Sequence, residues 1–350
     1  MTAPQHRADA GRGDLLDRVV DGWRRFWFQP QPMTSLGLVR IAFGLLMLGW
    51  SLSLLPDLLT FFGRDGVRPG PPAIRYTWGL LHVFPSDRGV IVVWALLFAA
   101  ALALTVGWHT RLAALVVFVG VLSFQRRDIF VFNSGDVVVR VEALYVALAP
   151  AGAALSLDRR RTAGSFWDAQ VRAPWVLRLM QVQLSIIYLS TVHDKLTGTA
   201  WNQGTAVSYA LRLDDLQAFP VPHWLTTNAV LMNAATWGTL LLEISLGVLV
   251  WTRLRPWVLA AGVLMHLIFV LTLAVAFFSV AMYVLYLAFV PPAAAQRVVD
   301  RVRARLPRRA QEPVEEPAEE PAAELPAAPS VEAEDEAGQV RAADAQTPTG

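Results

Sequence analysis

Apolar residues come in long blocks along this chain, separated by short connections rich in Gly, Pro or Arg. Leu36 to Leu55 carries a single charge, Arg40, and Val90 to Trp108 carries none. Blocks of about 20 apolar residues match the hydrocarbon thickness crossed by one α-helix. The run from Pro256 to Val290 has no charge and is too long for one crossing. It predicts two helices joined by a tight turn near Val275–Phe278. The full pattern predicts spans near 36–55, 90–107, 111–125, 137–150, 175–195, 230–250, 256–274 and 277–291. The third and fourth are short and charged near their ends, so the count is about eight, with six and seven as alternatives.

Outside these blocks the period changes. Residues 1–13 are polar and read as loose. Leu15, Leu16, Val19, Val20, Trp23, Phe26 and Trp27 then recur at helical spacing, with Arg18, Asp21, Arg24 and Arg25 between them. That is the pattern of an amphipathic helix lying in the membrane interface, with Trp at headgroup depth. The chain thus divides into an N-terminal segment (1–30), a transmembrane domain (31–292), a basic juxtamembrane segment (293–309) and an acidic tail (310–350). The tail is rich in Pro, Ala and Glu, lacks the bulky apolar residues of a core, and reads as disordered. The basic segment reads as resting on anionic lipid.

Composition agrees with the pattern. Hydrophobic residues make up 55% and charged residues 17%, against about 25% charged in soluble domains, and mean hydropathy is +0.42. The predicted class is all-α, a polytopic transmembrane helical bundle. No cysteine is present, which removes disulfides and thiolate chemistry. The first apolar block is long and has no small-residue cleavage site, so it reads as a span rather than a signal peptide. The dense arginine clusters (Arg18/24/25, Arg159–161, Arg253/255 and Arg297–Arg309) fall on one side of an eight-span arrangement. The positive-inside rule then predicts a multi-pass cell-membrane protein with both termini cytoplasmic.

Candidate chemistry centres on one residue type. Lysine and arginine together number 30, and Lys195 is the lone lysine among them. At 100° per residue, Arg178, Gln181, Ser185, Tyr188, Thr191 and Lys195 fall on one helix face about 140° wide. Polar side chains in hydrocarbon are costly, so this stripe should face the bundle interior or a water-filled cavity. His193 and Asp194 project off it. Two readings of Lys195 fit. It is a snorkelling or structurally paired ammonium, or an amine that must lose its proton, which Arg cannot do.

Glu243 and His266 are also ionisable groups in mid-span, and Arg140 and Glu142 sit two apart on different faces of the fourth predicted span. Each is a site candidate by depth. The competing explanation is internal pairing, for example Glu243 with His266 or with Arg140. Asn133 and Asp136 in "FNSGD" read as a helix cap. No Walker, GxGxxG, HExxH or Ser–His–Asp pattern is present.

These residues resemble a family. "SIIYLSTVHDKLTGTAWNQGTAV" is similar to the segment of vitamin K-dependent γ-carboxylase-like proteins, including bacterial HTTM-domain proteins, in which a lysine closes a membrane helix shortly before a Trp. "FFGRDGV" after the first span and "NSGD" before the fourth precede it, and "LLLEISLGVLVW" and "VLMHLIF" follow it in the corresponding order, so the resemblance runs over about residues 25–290. The resemblance implies that Lys195 matches the base that deprotonates vitamin K hydroquinone. It also implies that Glu243 and His266 occupy recurrent family positions. Tyr188, Thr191, Glu243 and His266 become the expected contacts for a membrane quinol, either menaquinol or vitamin K hydroquinone.

Two departures bear on activity. Ser134 and Gly135 stand where the carboxylases carry a histidine. The large extracytoplasmic region that binds the carboxylases' protein substrate has no counterpart before the tail. The expectation is therefore a quinol-dependent enzyme, carboxylase-like or oxygenase-like, acting on an extracytoplasmic peptide or small substrate. The alternative is a non-enzymatic membrane protein assisting export or maturation of a secreted peptide. A transporter is disfavoured, since no inverted repeat is visible.

Overall fold

A computed structural model describes residues 5–68 and 78–305, with side chains from Leu16 onward. Contacts divide the chain at Ala304 into a large unit and a short C-terminal one. The acidic tail and its expected disorder lie outside the described residues, as does part of the loop after Arg68.

The chain opens with α1 (Gln5–Phe28), β1 (Gln31–Pro32) and α2 (Thr34–Leu54). α1 begins well before Leu15, because Gln, Ala and Arg propagate a helix through the stretch expected to be loose. Next come α3 (Leu58–Phe62), α4 (Leu80–Val83), α5 (Asp87–Val106), α6 (Thr110–Arg127) and α7 (Ser134–Leu148). α8 (Leu157–Ala163) and β2 (Val171–Arg172) lead into α9 (Trp175–Leu196). Three short helices follow, α10 (Thr199–Asn202), α11 (Ala206–Ala210) and α12 (His223–Thr226); α10 packs on α9, and α11 and α12 pack on α13. The chain continues through α13 (Ala229–Val248), α14 (Arg255–Thr272), α15 (Ala276–Leu287) and α16 (Pro292–Arg305). β1 pairs antiparallel with β2, Gln31 opposite Arg172.

A helix stands at each of the eight predicted spans, and the bundle is all-α and polytopic. Among the described residues, five helices are fit to cross a membrane by length and composition: α2, α5, α9, α13 extended to Trp251, and α14. A sixth qualifies if α15 and α16, bent 107° from one another, count together. α6, α7 and α15 are too short or too polar to qualify alone, and packing explains how the fold accommodates them. α15 lies among α2, α7, α9 and α14, so protein rather than lipid covers much of its surface. The uncharged run breaks at Leu273–Val275, slightly before the predicted turn, where Ala218 and Ala274 amides bond Thr272 and Leu216 carbonyls.

α2 packs on α5, α5 on α6, and α6 on α7. At Gly44 a Cβ would stand 2.9 Å from Thr105 Cα, so α2 and α5 approach closely only because a glycine is there. The outer faces carry exposed Leu45, Leu96, Leu112, Leu241 and Leu264. An apolar exterior around fully hydrogen-bonded helices suits a lipid bilayer. The "NSGD" cap forms as read: Asn133 Oδ1 accepts from Gly135 N at 2.8 Å, and Asp136 Oδ2 accepts from Asn133 N at 2.9 Å. Asp136 Oδ1 also accepts from Trp50 Nε1 at 2.8 Å, tying the cap to α2.

Candidate functional site

α9 presents its polar stripe to neighbouring helices rather than to lipid. Arg178 Nε donates to the Phe26 carbonyl at 3.0 Å and Nη1 to Gln181 Oε1 at 2.8 Å. Gln181 Nε2 donates to the Ala288 carbonyl at 2.7 Å, and Trp251 Nε1 donates to Ser185 Oγ at 2.8 Å. One rung therefore reaches α1, one the end of α15, and one the end of α13. His193 and Asp194 are exposed, off the stripe.

Higher on the stripe the contacts become chemical. Tyr188, buried, places its hydroxyl 2.9 Å from His266 Nε2 on α14 and in hydrogen-bond contact with the Tyr286 hydroxyl on α15. His266 Nδ1 lies 3.3 Å from Ser279 Oγ. Four side chains from three helices form one buried chain of hydroxyls and imidazole. Thr191, by contrast, donates back to the Ile187 carbonyl of its own helix at 2.6 Å.

At the end of α9, Lys195 Nζ donates to Glu243 Oε1 of α13. The ammonium also stands 4.7 Å from the centroid of the Trp201 ring, a cation–π distance. The lysine side chain is 18% exposed and that of the glutamate 5%. Oε2 of Glu243 is buried and has no hydrogen-bond partner among the described residues. The expected alternative pairing of Glu243 with His266 or Arg140 is not what forms. α9 and α13 pack side by side and bring Lys195 level with Glu243 instead.

Beside this pair opens a cavity of about 570 Å³ between α13, α14 and the short helices α10–α12. Lys195 is the charged member of a lining that is otherwise uncharged and almost wholly apolar, including Trp201, Leu242, Met265 and Phe269. Glu243, Tyr188, Thr191 and His266 stand outside the lining; Leu242 and Met265, their neighbours in sequence, belong to it. Lys195 is therefore the charged residue a ligand in this cavity meets, and its partner Glu243 lies outside the lining.

The HTTM domain profile matches residues 28–293. The chain belongs to the HTTM-domain family. It is a membrane protein of this γ-carboxylase-related group, and the matched region spans every helix from α2 to the turn into α16. No characterised protein and no solved structure matches the chain.

Sequence reasoning missed Tyr286 and Ser279. Ser279, Tyr283 and Tyr286 recur at spacings of four and three, one helix face, and that was the available signal. Glu142 is buried on α7, and neither of its carboxyl oxygens has a hydrogen-bond partner among the described residues. It does not join the Lys195 cluster.

Proposed function

We propose that this HTTM-domain protein is a membrane enzyme whose cavity at Lys195 takes a quinol. The observation that carries the reading is the placement of the lone lysine, as the charged group in the wall of an apolar cavity. Small-molecule sites are typically concave, apolar and roughly 300–1,000 Å³ with few polar groups. The residues fit a quinol: apolar walls and the Trp201 ring for the ring system, an amine for a hydroxyl. A bound quinol supplies an acidic hydroxyl and a source of two electrons.

The chain's own part is proton handling. Moving the shared proton from Lys195 Nζ to Glu243 Oε1 leaves a neutral amine facing the cavity and a neutral carboxyl behind it. No net charge is created in a low-dielectric site, so the step avoids the main cost of a buried base. Nζ then takes up a hydroxyl proton and regains its charge. Trp201 stabilises the ammonium form through its ring face. The arginine distribution supports a cell-membrane orientation with both termini cytoplasmic. The substrate beyond the quinol would be an extracytoplasmic peptide or small molecule.

The ion pair itself favours a second reading, in which Lys195–Glu243 pins α9 to α13 in a non-enzymatic helper of peptide export or maturation. Lys195→Arg separates the two, because it keeps the charge and removes the basicity. The enzyme reading expects a quinone in the lipid extract of purified protein, and oxygen-dependent consumption of menaquinol that Lys195→Arg abolishes. Full cellular function in Lys195→Arg, with no quinone retained by the wild type, would sink it.

A further inference from the structure

A second cleft lies at the other end of the bundle, where α2 and α9 begin and α15 hands over to α16. Its volume is about 1090 Å³, and its polar lining is Arg159, Ser165, Asp168, Gln296 and Arg303, with Trp167 beside them. α9 has 22 residues, which at 1.5 Å per residue separates this cleft from Lys195 by roughly 30 Å. The two sites share no lining residue.

The cleft offers unmatched positive charge. Arg159 of α8 pairs with Asp168 and donates from Nη1 to Thr162 Oγ1 at 3.3 Å. Its Nε–H is buried and has no acceptor among the described residues. Arg303 is exposed, on the face of α16 that also carries Gln296. Pro292 and Ala293, the first residues of the 14-residue α16, form the near wall. The positive end of that helix therefore faces the same space. Asp168 offsets one guanidinium, and the remaining charge and the orphaned N–H call for an anionic oxygen.

The surroundings say where that oxygen comes from. α16 turns 107° away from α15, so it runs across the end of the bundle instead of continuing through it. Ala295 and Val299 bury against the bundle while Val298 and Val302 are exposed between arginines. That is the arrangement of a helix lying in a membrane interface. A cleft opening at that depth, flanked by Trp167, meets phospholipid headgroups.

We propose that this cleft binds the phosphate of an anionic phospholipid headgroup through Arg159 and Arg303. Guanidinium forks suit phosphate oxygens better than any other side chain. The inference stands independently of the quinol reading.

The test uses full-length protein in nanodiscs of mixed phosphatidylglycerol and phosphatidylcholine, followed by native mass spectrometry of retained lipid. Arg303→Gln removes a charge that forms no ion pair among the described residues, and Arg159→Gln removes the second. Each should lower the preference for phosphatidylglycerol about fivefold, the worth of one basic residue at an anionic surface. Unfolding temperature in detergent serves as the folding control, and Arg303→Gln should leave it unchanged. Unchanged lipid preference in both variants overturns the proposal. So does protection of the wild type by millimolar inorganic phosphate with no preference between the two lipids, which would mark a free-phosphate site.

Discussion

Lys195 of α9 and Glu243 of α13 pair across 48 residues of chain, and only one of the two carboxylate oxygens is used. The pair is therefore half-satisfied on the glutamate side, with the cavity next to it.

Removing either partner leaves a charge without its counter-charge in an apolar bundle. Lys195→Met or Glu243→Leu alone should lower stability by about 3 kcal/mol, and the double variant should recover most of that loss. Thermal unfolding of the purified protein in detergent reads all three. A double variant no more stable than the worse single would show that the two groups are not energetically coupled.

How far the site was legible follows from these same residues. Lys195, Tyr188 and Gln181 lie within one helix, so a 100° projection is enough to place them on a common inward face. Glu243 and His266 declare themselves as ionisable groups within apolar runs. Which of them meets Lys195 depends on how α9 and α13 pack, and a local pattern carries no long-range register. The helices α6, α7 and α15 were visible for their apolar content. α7 and α15 fall short of a span in length and α6 carries three arginines; that α2, α7, α9 and α14 cover α15 is what no window along the chain records. The buried, unpartnered Nε of Arg159 could not be foreseen at all, because its position depends on a turn between α8 and β2.

Tyr188 holds two partners with one hydroxyl. Tyr188→Phe should cost about 1–3 kcal/mol, the desolvation penalty of polar groups left unpaired on His266 and Tyr286. Tyr286→Phe should cost less once Tyr188→Phe is in place, since both act in one chain. Ser279→Ala removes a long bond of 3.3 Å and should cost under about 1 kcal/mol. A double-mutant cycle by thermal unfolding checks the coupling; strict additivity of the two tyrosine changes would show separate contacts.

Gly238 lines the cavity from α13 and is itself exposed, so it stands where the cavity opens between α13 and α14. A Cβ there would meet nothing within 4 Å. Gly238→Leu should fill the opening without strain, and should gain up to about 1 kcal/mol from helix propensity. The expected result is an unchanged or raised unfolding temperature with loss of retained quinone from the lipid extract. Undiminished quinone in a well-folded Gly238→Leu protein would place that ligand elsewhere.

Asp158 gives the acid dependence. Its carboxylate caps α6 from a distance, accepting from His109 N at 3.0 Å, Thr110 N at 2.8 Å and Thr110 Oγ1 at 2.6 Å. Partial burial alone would raise its pKa, but the hydrogen bonds from Thr110 and His109 outweigh that and hold it below the ordinary carboxylate value. A folded pKa below the unfolded one means the stabilisation is fully present above the unfolded value, about 3.9 for Asp. It is lost as pH falls through the lower, folded value. Wild-type unfolding temperature should therefore drop below about pH 4. Asp158→Asn, which cannot gain or lose that charge, should start lower at neutral pH and fall less steeply in acid. Parallel pH profiles for the two proteins would remove Asp158 from the cause.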